Sequence, residues 1–183
     1  DIHESLRFNR IDDAARRGIA EVWPVIEPEL PRFLNDFYAH VAQRPDLRNL
    51  FSSEAAMGRA SKAQQTHWQR LFSGRFDSDY VESVRRIAKV HNQIGLAPEP
   101  YIAAYLLVLQ ELHGHVIGHY MQFMRPADSR RKIDQAVRAI DRAVLFDIQF
   151  VVATYLKEGE IGFSKRLNDL ADQFSKTIGD FID

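Results

Sequence analysis

Histidine has the widest chemical reach in this chain: there are seven, and no cysteine at all. Without thiols there is no disulfide, no thiolate-held metal and no thioether-linked prosthetic group, so any metal or cofactor must be held by histidine, tyrosine or carboxylate. His91 is the histidine whose setting needs explaining. In IAKVHNQIG it continues a stripe of Tyr80, Val84, Ile87, His91 and Ile94, spaced 4, 3, 4 and 3 residues apart, which puts an imidazole on the apolar face of a helix. There it needs a partner, either a backbone carbonyl or a metal. Tyr38 lies beside the stripe Leu30, Phe33, Leu34, Phe37 and Val41, where a phenol can bury its ring and still reach a polar atom or water. His115 and His119 stand four apart and could share a metal. No third ligand accompanies them, so a solvated or subunit-facing pair is the simpler reading. His3, His40 and His113 form no constellation, and Arg130, Arg131 and Lys132 read as a solvated first helical turn.

The elements that must position these groups are helical throughout. No period-two run or hairpin dipeptide interrupts the 3.6-residue spacing, which predicts an all-α chain. The first helix is expected from Asp12, carrying Ile19, Val22 and Trp23, until Pro24, Pro28 and Pro31 break or restart it. Pro45 suits the first position of a short helix, Ser52 or Ser53 caps the next, and that helix runs through Met57, Ala60, Ala63, Trp68 and Leu71 to Gly74. The helix of His91 starts after Asp77 or Ser78 and stops at Gly95. Pro98 and Pro100 reset the direction into a long helix, and RPAD at 125–128 is the next break. The last helix is apolar on more than one face, which predicts a subunit interface with Val144 and Val151 as candidates. Gly159 and Gly162 are read as a junction, beyond which Phe163, Leu167, Leu170, Phe174, Ile178 and Phe181 recur at near-heptad spacing, as at the start of a coiled coil.

Composition narrows the function classes. The 183 residues, 45% apolar and 27% charged, suit one domain with a sizeable core plus an appendage. A net charge of -1, from 24 basic and 25 acidic residues, creates no field that would gather nucleic acid or an anionic membrane. The apolar runs YIAAYLLVL and FVVATYL are too short to span a bilayer. The start DIHESLRF carries no initiator methionine and no signal segment, as expected of an excised piece, and the chain is expected to be cytoplasmic.

The segment HNQIGLAPEPY, from His91 to Tyr101, resembles the proximal region of the globin-coupled sensors. FYAHV resembles that family's second helix with its distal tyrosine, THWQRLFSGRF the end of its distal helix, and DSDYVESVRRIAKVH the run into its proximal histidine. Together these cover most of residues 30–157. The resemblance implies a globin fold over residues 1–158, with 159–183 a helical linker into an output domain. It implies non-covalent haem b, with His91 as the proximal iron ligand, Tyr38 donating a hydrogen bond to bound O2, and Tyr101 as the aromatic opening the helix after the proximal turn. Ala60, Ala63, Trp68, Ile87 and Ile94 are expected to line the haem site. Small residues at 60 and 63 leave room for a diatomic ligand and supply no sixth ligand, so a five-coordinate ferrous state is expected. His67, one turn beyond Ala63, is expected at the pocket rim or the surface.

The function implied is a haem-based oxygen sensor, not an enzyme, that reports ligation through a homodimer of its two long C-terminal helices. CO or NO is the alternative gas, and no nucleic acid or membrane partner is expected. LNDLADQFSKTIGDFID resembles the entry into the signalling helices of chemotaxis transducers, making aerotaxis the expected output and a diguanylate cyclase or histidine kinase the alternative. The competing readings are a haem enzyme acting on O2 or NO, which lacks a reductase module or flavin segment here, and a haem-free helical interaction module.

Overall fold

The computed structural model describes residues 2–123 and 125–182, with side chains at 123, 127 and 174–182 left aside. Phe174, Ile178 and Phe181 of the near-heptad run therefore lie outside the described side chains. Among the described residues there are eight helices and no strand: α1 (Ile2–Phe8), α2 (Asp13–Ile26), α3 (Leu30–Ala42), α4 (Pro45–Arg48), α5 (Glu54–Phe72), α6 (Ser78–Ile94), α7 (Pro98–Phe123) and α8 (Pro126–Ile182).

Local chemistry sets most boundaries. The Asp12 carboxylate accepts from the Ala15 amide at 2.8 Å, Ser53 Oγ from Ala56 at 3.1 Å and the Asp77 carboxylate from Tyr80 at 3.2 Å, so α2, α5 and α6 each start on a side-chain cap. Gly95 takes a left-handed conformation (φ 71°) and closes α6, with the Leu96 amide bonded back to the His91 carbonyl. Gly74 is left-handed too (φ 69°), and a Cβ there would lie 2.4 Å from the Arg16 carbonyl oxygen, so only glycine allows α2 this close to the α5–α6 turn.

Two expectations are corrected. The chain is helical before Asp12, because α1 buries Leu6 on the core. Pro24 does not end α2: it lies inside the helix, which continues to Ile26, while Pro31 sits in the first turn of α3. Gly159 and Gly162 do not interrupt α8. Neither has positive φ, and an isolated glycine costs a helix only about 1 kcal/mol relative to alanine.

Helix α8 is the spine. Its first half packs on α2, α6 and α7, while α3 packs on α4, α5 and α7, and α5 on α6. The shared core holds Ile19, Leu30, Trp68, Phe72, Leu112 and Ile140, all fully buried. Val144 and Val151 belong to this core too, at 0% and 1% exposure, which removes them as interface candidates. The apolar residues that α8 leaves in solvent are Leu145, Leu156, Ile161, Phe163, Leu167 and Leu170. α7 adds Ile102, Leu106, Leu107, Ile117 and Met121. Among the described residues no helix is long and apolar enough to cross a membrane.

A histidine-lined apolar cavity

Helices α3, α5, α6 and α7 enclose a cavity of about 420 Å³ with predominantly apolar walls, a size and character typical of a small-molecule or cofactor site. α6 contributes Ile87, His91 and Ile94 as the 3.6-residue stripe requires, α5 contributes Ala60 and Ala63, α3 contributes Tyr38, and α7 contributes Tyr101. Seven of the eight residues singled out from the sequence thus meet in one place. Trp68 does not. It is completely buried behind the wall, against Phe72 and Tyr105 (centroids 5.8 and 6.2 Å), with its indole N–H unpartnered.

The polar groups of His91 and Tyr38 enter this apolar space without a hydrogen-bond partner among the described residues. Among the described residues the His91 ring makes no hydrogen bond to protein. Its close neighbour is Tyr101, edge-on at 5.0 Å between centroids. Burial lowers the His91 pKa to about 4, so the imidazole is neutral near pH 7 and keeps a lone pair for a ligand. The Tyr38 hydroxyl likewise has no protein partner among the described residues. Its ring is held edge-on by Phe37 (5.0 Å) and Phe51 (6.1 Å), and burial pushes its pKa up, so the proton stays on oxygen. A Lewis base and a hydrogen-bond donor that no protein group satisfies leave room for a partner brought from outside.

The fit to an iron porphyrin can be tested on the residues themselves. No cluster of three histidines or carboxylates that could hold a bare metal ion occurs among the described residues. One neutral imidazole in a large apolar cavity instead suits an iron that brings its own macrocycle, needs a single axial ligand and buries a hydrophobic ring. Ala60 and Ala63 add no competing ligand. The cations lining the cavity are Arg70 and Arg86, the latter paired with Glu82 at 3.1 Å.

His67 corrects an expectation. It is 2% exposed and sits in the cavity wall rather than on the surface, because it belongs to a buried polar cluster centred on Asp147 of α8. The Asp147 carboxylate is fully buried and accepts from His67 Nε2 (2.9 Å), Tyr80 (2.8 Å) and Tyr105 (2.7 Å). The Tyr101 and Tyr105 hydroxyls lie 2.9 Å apart, and His67 Nδ1 lies 2.8 Å from Ser83 Oγ. Burial alone would raise the Asp147 pKa; adjacent His67 and the hydrogen bonds from His67, Tyr105 and Tyr80 outweigh it and hold the carboxyl below its usual range. His67, Ser83, Tyr101 and Tyr105 also line the cavity, so the cluster runs from its wall into α8. The available signal was a lone carboxylate in the apolar run VLFDIQFVV.

His113 and His115 have ordinary roles. His113 Nε2 lies 2.9 Å from Asp141, and His115 Nε2 donates to the Val25 carbonyl at 2.8 Å, so His115 is held by α2 rather than offered to a metal with His119. Arg130 and Arg131 are exposed as expected.

Comparison with known proteins agrees with the geometry. The Protoglobin family model matches residues 1–160. The heme-based aerotactic transducer HemAT of Halobacterium salinarum is 26% identical over 175 residues, a match covering 91% of this chain and 34% of that protein. The chain thus spans about a third of the length of this curated relative. The globin domain of a Geobacter sulfurreducens globin-coupled sensor superposes with a TM-score of 0.71 at 18% identity, covering 84% of this chain and 96% of that one. The globin domain of E. coli DosC, in a ferric form, gives 0.58 at 15% identity, covering 79% and 97%. The two structural likenesses show a globin fold.

Proposed function

The chain belongs to the protoglobin family, and from that premise we propose that it is a haem-based oxygen-sensing domain that holds haem b through His91 and passes ligation state to an output region through α8. The observation that carries this reading is the unengaged neutral imidazole of His91 in an apolar cavity that also contains the free hydroxyl of Tyr38. Bound haem would supply a site for reversible binding of a diatomic gas. The chain does the rest. Ile87 and Ile94 flank His91 on α6 and exclude water from it, while Ala60 and Ala63 keep the α5 side open. Tyr38 offers a proton that a polar ligand such as O2 accepts and the less polar CO scarcely uses, which makes oxygen the preferred signal over CO or NO.

A binding and signalling role is favoured over catalysis because no carboxylate lines the cavity to shuttle protons: its polar lining is His91, His67, Gln64, several hydroxyls and the permanently charged Arg70 and Arg86. The transducer output of the Halobacterium relative is the preferred output here, since that likeness runs through most of the chain.

Two features support transmission through a dimer. The Asn92 side chain, next to His91, donates to the Tyr155 carbonyl of α8 at 2.9 Å, so a shift of the α6 C-terminus reaches α8 directly as well as through the 95–97 turn into α7. Leu145 and Leu156 of α8 and Leu106 and Ile117 of α7 are exposed, as expected of helices that meet a second copy. The test is His91→Ala. The wild-type apoprotein should take up haem and give a five-coordinate ferrous Soret spectrum, and the variant should bind haem weakly or lose that spectrum. An unchanged spectrum in the variant would refute the assignment of His91.

A further inference from the structure

The Asp147 cluster is not needed to hold a cofactor, yet it buries a full charge, a costly arrangement unless every bond is made. The direction of every hydrogen bond from Asp147 to the tyrosine pair follows from its chemistry. A carboxylate only accepts, so His67 Nε2, Tyr80 and Tyr105 each donate to Asp147. Tyr105 has a single hydroxyl proton, committed to Asp147 at 2.7 Å. The 2.9 Å contact between the Tyr101 and Tyr105 hydroxyls therefore has Tyr101 as donor. The chain of donation runs Tyr101 to Tyr105 to Asp147, and it leaves the Tyr101 oxygen with lone pairs and no proton to offer the cavity. The Tyr101 ring stands edge-on to His91.

Resting on the haem reading above, we propose that Asp147 is a positioning residue for the His91 side of the cavity: from α8 it fixes the polarity of the Tyr101–Tyr105 pair, so that Tyr101, beside the iron ligand, keeps a hydroxyl oxygen with lone pairs and no proton to donate. The same residue that sets this polarity belongs to the helix that carries the signal out. Any displacement of α8 at Asp147 therefore alters the electrostatics next to His91, and by linkage the ligation state at His91 biases α8.

Asp147→Asn tests this because it keeps the shape and reverses one contact. His67 and Tyr80 both donate to the same carboxylate oxygen, so the Asn carbonyl faces them and its NH2 faces Tyr105. Tyr105 must then accept, its proton turns to Tyr101, and the Tyr101 proton turns toward the cavity. The ferric–ferrous midpoint of haem-loaded protein should rise and the ferrous iron–histidine stretching band should move, and Tyr105→Phe, which cuts the relay but keeps the charge, should also move the band. Tyr80→Phe removes a bond to the same carboxylate off the relay. It should lower thermal stability as Asp147→Asn does while leaving midpoint and band at wild-type values.

A second readout uses haem-free protein: the Tyr101 hydroxyl proton should be protected from solvent exchange by NMR in wild type and Tyr80→Phe, and lose protection in Asp147→Asn. If Asp147→Asn and Tyr80→Phe lower stability alike and leave midpoint, band and proton protection unchanged, Asp147 is structural only and the proposal is overturned. Failure of wild type to take up haem through His91 overturns the sensor reading instead, and a Tyr101 proton still protected in Asp147→Asn then overturns the polarity argument independently.

Discussion

Replacing Tyr38 by phenylalanine separates ligand recognition from folding in a way the structure makes quantitative. The Tyr38 hydroxyl bonds to no protein group among the described residues, and its ring is held by Phe37 and Phe51 whatever the para substituent. The substitution therefore removes no protein hydrogen bond and leaves no buried partner unpaired, so the thermal midpoint should change by the equivalent of less than about 0.5 kcal/mol. What it removes is the donor facing the cavity. A buried hydrogen bond of this kind is worth roughly 1–3 kcal/mol to a polar ligand, which corresponds to roughly a 5- to 150-fold faster release of oxygen. Carbon monoxide, a far weaker acceptor, should leave at nearly the wild-type rate. Stopped-flow release of both gases, alongside a thermal melt, measures all three quantities. Equal changes for the two gases, or a large loss of stability with no change in oxygen release, would show that the hydroxyl serves the fold and not the ligand.

Two further expectations follow from burial and exposure. In the haem-free protein His91 has a pKa of about 4 against an ordinary 6.5. The unfolded chain thus takes up a proton that the folded one refuses, and as pH falls from 6.5 toward 4 the fold should lose up to about 3 kcal/mol at this position. Asp147, held below the usual carboxylate range, contributes a separate loss only on further acidification below its ordinary pKa; denaturant titrations of wild type and His91→Phe across this range should differ above pH 4 and converge in slope below it. For the dimer, Leu145→Lys or Leu156→Glu, both on exposed positions of α8, should shift sedimentation toward monomer while haem stays bound. Val144→Lys places a charge in the core and should unfold the domain instead, and interface variants that sediment like wild type would remove the proposed α7–α8 contact.

Whatever was governed by neighbours in sequence was legible without the fold. The caps at Asp12, Ser53 and Asp77 and the stop at Gly95 depend on atoms within a few residues, and each was readable from residue type and spacing. The same holds for the stripe that carries His91 to the cavity, since 3.6-residue periodicity places Ile87, His91 and Ile94 on one face before any partner helix is known. Pro24 was over-read for the converse reason. A residue that only lowers helix propensity signals a break, but tertiary packing outweighs a penalty of this size.

What only the tertiary structure decided is which apolar or polar side chain faces which neighbour. Val144 and Leu145 are adjacent and similar, yet one is wholly buried and the other 56% exposed, because α2, α6 and α7 cover one side of α8 and leave the other bare. Trp68 is aromatic and next to a cavity residue, yet a rotation of 100° per residue sends it into the core behind Tyr105. Asp147 and His67 lie 80 residues apart, and nothing local to either announces the other. A buried charge is tolerable only where several donors from different helices converge on it, and that convergence is a property of the packed bundle that no stretch of sequence contains.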